Sequence, residues 1–372
     1  MFRKFAERWK LRENALVYAI WLFGPIGALL FFSDTLHSHL VNRDFAVFPI
    51  AGALAAKGLA VDAYSVAGNA PVVKEIGRTV ECLFLYPPHV LFMGIPLSFL
   101  PFSVAFWGFQ AATAALFYFA ARPYLPENLP RLLVILTPAA LINIGFGQVG
   151  LLFGALWLFA FSGSRFAAAL LTFKPHLGFL VAVEAVRRRQ FLGTSATVVA
   201  FVALSVAAFG IAPWQAWVSN ALPYQVHDLV PRDYPEWIYK MPTPYLGYGL
   251  IGWLLFAAAA IALLVRRFDV FTAATATFLI APYGFHYDMP ATCLGFGLLL
   301  FRSWREMPSW QTLVCALAFL SPLLVALGPL WVPPLLLAGL YVQTCNPICR
   351  DQSRASADPP NDPLPNPNPS AN

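Results

Sequence analysis

ALVYAIWLFGPIGALLFF, running from Ala15 to Phe32, carries no charged residue and follows a leader holding Arg3, Lys4, Arg8, Lys10 and Arg12 against Glu7 and Glu13. An uncharged run of this length approaches the ~20 residues that a straight transmembrane helix needs. No small-residue cleavage site follows it, so the run is read as a retained first helix, with the basic leader 1–14 on the cytoplasmic side. The rest of the chain agrees. Of 372 residues, 59% are hydrophobic and 11% charged, where soluble domains carry about 25% charged residues. One globular core cannot hide that much apolar surface. Composition therefore implies an all-α polytopic membrane protein and excludes a soluble enzyme.

Further apolar runs occupy 84–100, 102–121, 131–145, 149–163, 166–185, 193–211 and 245–265, one from about 270, one returning to Arg302 and Arg305, then 311–327 and 329–342. They predict a bundle of about 12 transmembrane helices over 15–342, with 131–145 and 149–163 too short for straight spans and expected to be broken or re-entrant. Arg187-Arg188-Arg189, Arg266-Arg267, Arg302 and Arg305 fall in short connections, the positive-inside pattern. That pattern accounts for the net charge of +6 without a nucleic-acid partner. Exported loops are expected at about 33–83 and 212–244, the latter aromatic and holding His227, Asp228, Arg232, Asp233, Glu236 and Lys240. In the first loop Val41, Phe45 and Phe48 share one helical face, which predicts a short helix lying in the membrane interface. Residues 343–372 become Pro/Asn/Asp/Ser-rich and read as a disordered cytoplasmic tail. The five cysteines (Cys82, Cys293, Cys315, Cys345, Cys349) show no disulfide or zinc spacing.

Candidate chemistry lies in the polar interruptions. Asp44, within Asn42-Arg43-Asp44-Phe45-Ala46-Val47-Phe48-Pro49, puts an ionisable carboxylate at the membrane surface. Such a group is ordinarily solvated or salt-bridged; a functional reading draws on its company. Tyr86-Pro87-Pro88 opens one apolar run, and Gly147-Gln148 sits at a break. Lys174-Pro175-His176 interrupts another run, and Pro282-Tyr283-Gly284-Phe285-His286-Tyr287-Asp288 ends a third. An intramembrane lysine is disfavoured by ~3 kcal/mol. Lys174 either snorkels or binds an anionic headgroup, and Pro175 is expected to free a backbone carbonyl beside it. His176 is a weaker candidate that also fits as a cap on the kink. His286 and Asp288 fit either a site or an interfacial belt with Tyr283 and Tyr287.

Taken in order, these strings resemble the polyprenol-phosphate-mannose-type glycosyltransferases of family 87, within the GT-C superfamily. The resemblance rests on Asp44 to Phe48, Ala51-Gly52, Gly58, Asp62-Ala63-Tyr64, Tyr86-Pro87-Pro88, Pro96-Leu97 with Leu100-Pro101, Gly147-Gln148, Lys174-Pro175, and Pro282 with His286. It departs where the family has Ser-Pro, a Trp and a second histidine; here stand Ala281-Pro282, Phe285 and Tyr287. The resemblance implies a GT-C-like catalytic bundle in a cell membrane, the bacterial inner membrane above all, working on the extracytoplasmic face. It implies a polyprenyl-phosphate sugar donor, mannose favoured, and a lipid or glycan acceptor, among membrane lipids. Inversion would proceed with Asp44 as general base. The substrate-binding residues would be Arg43, Tyr86, Gln148, Lys174, His176, His286 and Asp288, with phosphate near Lys174 and His286. No cofactor or obligatory metal is expected. A flippase of lipid-linked saccharides and a non-catalytic envelope-assembly protein are the competing classes.

Overall fold

The computed structural model describes residues 14–346, apart from 32, 34–38, 80–82, 128, 223–239, 242–247 and 326–327. Residues 1–13 of the expected leader, 347–372 of the expected tail and the charged residues 227–236 of the second loop lie outside the described residues, while 343–345 of the expected tail continue the last helix. Among the described residues the regular structure is helical but for one antiparallel pair, β1 (Lys240–Met241) with β2 (Gly284–Phe285).

The helices run α1 (Ala15–Phe31), α2 (Val47–Ala56), α3 (Val66–Glu75), α4 (Leu91–Ser98), α5 (Phe102–Ala121), α6 (Pro138–Phe146), α7 (Gly150–Phe161) and α8 (Arg165–Leu170). There follow α9 (Pro175–Arg187), α10 (Phe191–Phe209), α11 (Ala212–Ala216), α12 (Gly249–Arg266), α13 (Val270–Ile280), α14 (Pro290–Ser303), α15 (Ser309–Leu324) and α16 (Val332–Cys345). Most of α7 and nearly all of α13 and α14 are buried. These helices are apolar all round, as the centre of a bundle requires. Asp269 starts α13 with a reciprocal capping box, accepting from Phe271 and Thr272 amides while its own amide donates to Thr272 Oγ1. In contrast α10 and α12 leave most of their apolar surface outside the bundle, Leu192 and Val265 being 84% and 83% exposed. Such surfaces suit contact with lipid.

The membrane reading is carried more coarsely than the sequence suggested. Among the described residues three segments are long and apolar enough to cross a bilayer, Phe102–Tyr124, Phe191–Phe209 and Gly249–Arg266. The other apolar helices are shorter, and about 12 straight spans are not drawn. The physical reason lies in the breaks. Run 131–145 becomes a 3-10 turn at Arg131–Val134 and then α6, capped at Thr137 and ended by left-handed Gly147 (φ 72°). Run 166–185 is divided at Lys174 into α8, a 3-10 turn at Leu171–Phe173, and α9. Pro175 is therefore not a kink within one span. It occupies the first turn of α9, where a missing N–H is harmless, and pushes Lys174 out of helical conformation (φ −129°, ψ 71°). No carbonyl is freed there: Leu171 O accepts from the Lys174 amide, and Lys174 O from those of Leu177 and Gly178.

The first loop turns its predicted apolar face to protein. Phe45 and Phe48 are buried while Val41 is half-buried, and Phe45 packs on Phe102, Phe106 and Phe109 with ring centroids 5.4–5.7 Å apart. The apolar face thus meets α5 instead of lipid. Helix α2 crosses α4 backbone to backbone at Gly52 and Gly94: a Cβ on Gly52 would lie 2.1 Å from the Gly94 carbonyl. Backbone there cannot rotate away. We expect Gly52→Ala to lower stability by about 2 kcal/mol and Gly108→Ala on α5, where a Cβ meets open space, to be neutral or stabilising by up to ~1 kcal/mol. Thermal unfolding in detergent measures both; a Gly52→Ala protein as stable as wild type would refute the close crossing.

Candidate active site

Breaks between helices converge at one place. Asp44 comes from the 3-10 turn Asp44–Ala46 before α2, and Tyr86 from the irregular segment before Pro88–Val90. Gln148 comes from the α6–α7 break, Lys174 from the α8–α9 break, and Asp288 from the turn His286–Asp288 before α14. Irregular backbone at membrane depth is tolerated where protein or a polar cavity shields it, so these junctions are where polar side chains can meet.

Two polar groups result. In one, Gln148 Nε2 donates to Asp44 Oδ2 at 2.7 Å, and Tyr86 Oη donates to Gln148 Oε1 at 3.3 Å. Gln110 Nε2 donates to the Gln148 carbonyl at 3.4 Å. Gln148 can hold this position because Gly147 abuts Phe45: a Cβ there would sit 2.8 Å from Phe45 Cβ. In the other group, Lys174 Nζ donates to Asp288 Oδ1 at 2.6 Å in a fully buried ion pair. The same ammonium stands over the rings of Tyr287 and Tyr86, 5.3 and 5.8 Å from their centroids, so Tyr86 links the two groups. Close helix approach keeps Asp288 in place, since a Cβ on Gly150 would fall 1.8 Å from Tyr287 O.

Burial governs the electrostatics. Asp44 keeps some exposed area, yet desolvation of its carboxyl raises its pKa, against the hydrogen bond from Gln148 and the charges of Arg78 and Lys174. Because the folded pKa is raised, ionised Asp44 works against stability at neutral pH, and that penalty is relieved as pH falls through the folded pKa. Burial likewise raises Asp288, opposed by Lys174. The phenol of Tyr287 is pushed well above its ordinary range by burial and then by Asp288 and Asp44, so it stays a neutral donor.

The remaining predicted residues lie at the margin. His176 stacks on Tyr283 with centroids 4.1 Å apart and lies 3.3 Å, Nδ1 to Oη, from its hydroxyl; it does not cap a kink. His286 is fully buried, edge-on to Phe146 at 5.5 Å and tilted against Tyr287, not part of an exposed belt. The Arg43 guanidinium lies over the Phe106 ring at 5.4 Å. Backbone pairing of Lys240 with Phe285 brings the second loop alongside this turn.

Sequence reasoning missed Arg78 and His89, and it read Tyr287 only as part of an aromatic belt. Arg78 is a buried arginine whose charge acts on Asp44. His89 stacks on Trp214 with its Nε2 3.5 Å from Thr172 Oγ1. None stands in a pattern that periodicity would single out.

If the Lys174–Asp288 pair holds the α8–α9 break against α14, removing one charge leaves the other buried alone. Lys174→Met is expected to destabilise by ~3 kcal/mol, and Lys174→Met combined with Asp288→Leu to recover most of that loss. Equal unfolding temperatures for wild type and Lys174→Met would show that the pair holds nothing.

Comparison with known families returns one match: the sequence model of glycosyltransferase family 87 covers residues 84–283, more than half of the chain. No curated protein and no solved structure matches.

Proposed function

The chain belongs to glycosyltransferase family 87, and from that premise we propose that it moves a hexose, mannose favoured, from a polyprenyl-phosphate sugar to a lipid or glycan acceptor. The single observation that carries this reading is the Asp44 carboxylate, oriented by Gln148 through Oδ2 and raised in pKa by burial. A general base is most effective when its pKa lies near the working pH. Asp44 accepts the proton of an acceptor hydroxyl whose oxygen attacks the anomeric carbon. The bond from that carbon to the phosphate oxygen breaks as the new bond forms, its electron pair leaving with the lipid phosphate, and the configuration inverts. Lys174, held by Asp288, and His286 face the leaving phosphate, whose charge needs stabilising donors more than a proton.

Topology supports an extracytoplasmic site. Helix α9 runs 13 residues from Pro175, next to Lys174, to Arg187, roughly 20 Å at 1.5 Å per residue, and ends at Arg187-Arg188-Arg189. On the positive-inside rule that end is cytoplasmic, which puts the Lys174 end outside. Broken helices completing spans around the long ones would give a count near the ~12 proposed.

Membranes from a host expressing the chain, supplied with radiolabelled polyprenyl-phosphate mannose and related donors, test this. Asp44→Asn is expected to lose about 10³-fold in transfer at normal abundance. Retained transfer would refute the base, and no transfer by wild type from any such donor would refute the donor class.

The pH profile gives an independent check. Only ionised Asp44 accepts a proton, so activity is expected to fall as pH drops through its raised pKa, with the acid limb centred above the ~3.9 of an ordinary aspartate. A limb at or below that value would contradict the buried base.

A further inference from the structure

Arg78 is 8% exposed, and no sequence motif or family feature above includes it. Its position follows from local structure. Helix α3 ends at left-handed Gly77 (φ 73°), whose amide donates to Lys74 O while the Arg78 amide donates to Val73 O. That paired cap turns the chain back on itself and directs Arg78 to the segment before Asp44. There Arg78 Nη1 donates to Val41 O at 2.8 Å and to Arg43 O at 2.7 Å. Beside it the Thr79 amide donates to Asn42 Oδ1 at 2.9 Å. The Arg43 carbonyl also accepts from the Ala46 amide, the bond that opens the turn carrying Asp44.

We propose that Arg78 is a positioning residue for Asp44, fixing the turn that presents the carboxylate and holding a permanent positive charge within reach of it. The inference rests on the reading of Asp44 as the base. A guanidinium suits both tasks, because it cannot lose its charge and its fork meets two acceptors at once. Gln148 is a neutral amide, and Lys174 is committed to Asp288. Arg78 is anchored on the carbonyl of Arg43, the residue before Asp44, and its positive charge acts on that carboxylate.

Dicyclohexylcarbodiimide, which reacts with protonated carboxyls, reads the ionisation of Asp44 without requiring turnover. The purified full-length chain in detergent is labelled across pH, and the Asp44 peptide is quantified by mass spectrometry for wild type, Arg78→Gln and Arg78→Lys. In Arg78→Gln the labelling midpoint is expected to rise by ~1 pH unit, a tenfold loss of ionised base below the midpoint. Arg78→Lys keeps the charge but not the two-carbonyl grip, so its midpoint is expected to stay near wild type while sugar transfer falls several-fold. A folded Arg78→Gln protein with the wild-type midpoint overturns the proposal. Should Arg78→Gln not accumulate, an Arg78→Lys protein matching wild type in both labelling and transfer overturns it. Transfer surviving in Asp44→Asn would defeat the assignment of the base, whereas the labelling midpoints still report on Arg78.

Discussion

The ion pair between Lys174 and Asp288 is the constraint around which the bundle's irregular parts are arranged. Two opposite charges buried 2.6 Å apart are tolerated because each compensates the desolvation of the other. Lys174 sits where a run of apolar sequence is interrupted, and Pro175 restarts the helix immediately after it. Asp288 sits in the turn that launches α14, itself buried along nearly its whole length. The pair therefore joins the α8–α9 break to the centre of the bundle. Tyr86 and Tyr287 flank the ammonium with their rings, and Tyr86 then leads through Gln148 to Asp44.

Breaks matter more than spans in this architecture. A continuous helix satisfies its own backbone and presents side chains on a fixed spiral, so it cannot direct several polar groups at one point. Ending helical segments at Gly147, Lys174 and Ala281 frees short irregular segments to turn inward. The cost of close approach is met with glycine: Gly150 lies against the Tyr287 carbonyl and Gly147 against Phe45, so no side chain holds the converging segments apart.

The sequence made the helical membrane class legible through composition, and it made the site's polar members legible because each interrupts an apolar run. Asp44, Gln148, Lys174 and Asp288 stood out for that reason, though they are more than a hundred residues apart in chain order where they pair. The partners themselves were not legible. Nothing in Lys174-Pro175-His176 says that Asp288 will meet it, since that depends on the packing of α9 against α13. What the apolar face before and within α2 packs on was not legible, because a 3–4 residue apolar spacing does not distinguish a lipid-facing stripe from one buried on α5; the Phe45–Phe106 contact shows protein. Arg78 was invisible because its role comes from hydrogen bonds to backbone carbonyls, and main-chain acceptors have no sequence signature.

The pairing also bears on the chemistry proposed for the site. Two carboxylates, Asp44 and Asp288, lie close enough to influence the same tyrosines, and two free carboxylates would suit a glycoside hydrolase, with one as acid and one as base. Here they are not equivalent. Asp288 is committed to Lys174, whereas Asp44 accepts from the neutral amide of Gln148. A leaving phosphate is already a weak base and gains more from a nearby cation than from a proton donor. On the proposed reading, then, Asp288 serves by fixing the ammonium, and Asp44 is the one carboxylate left to take a proton.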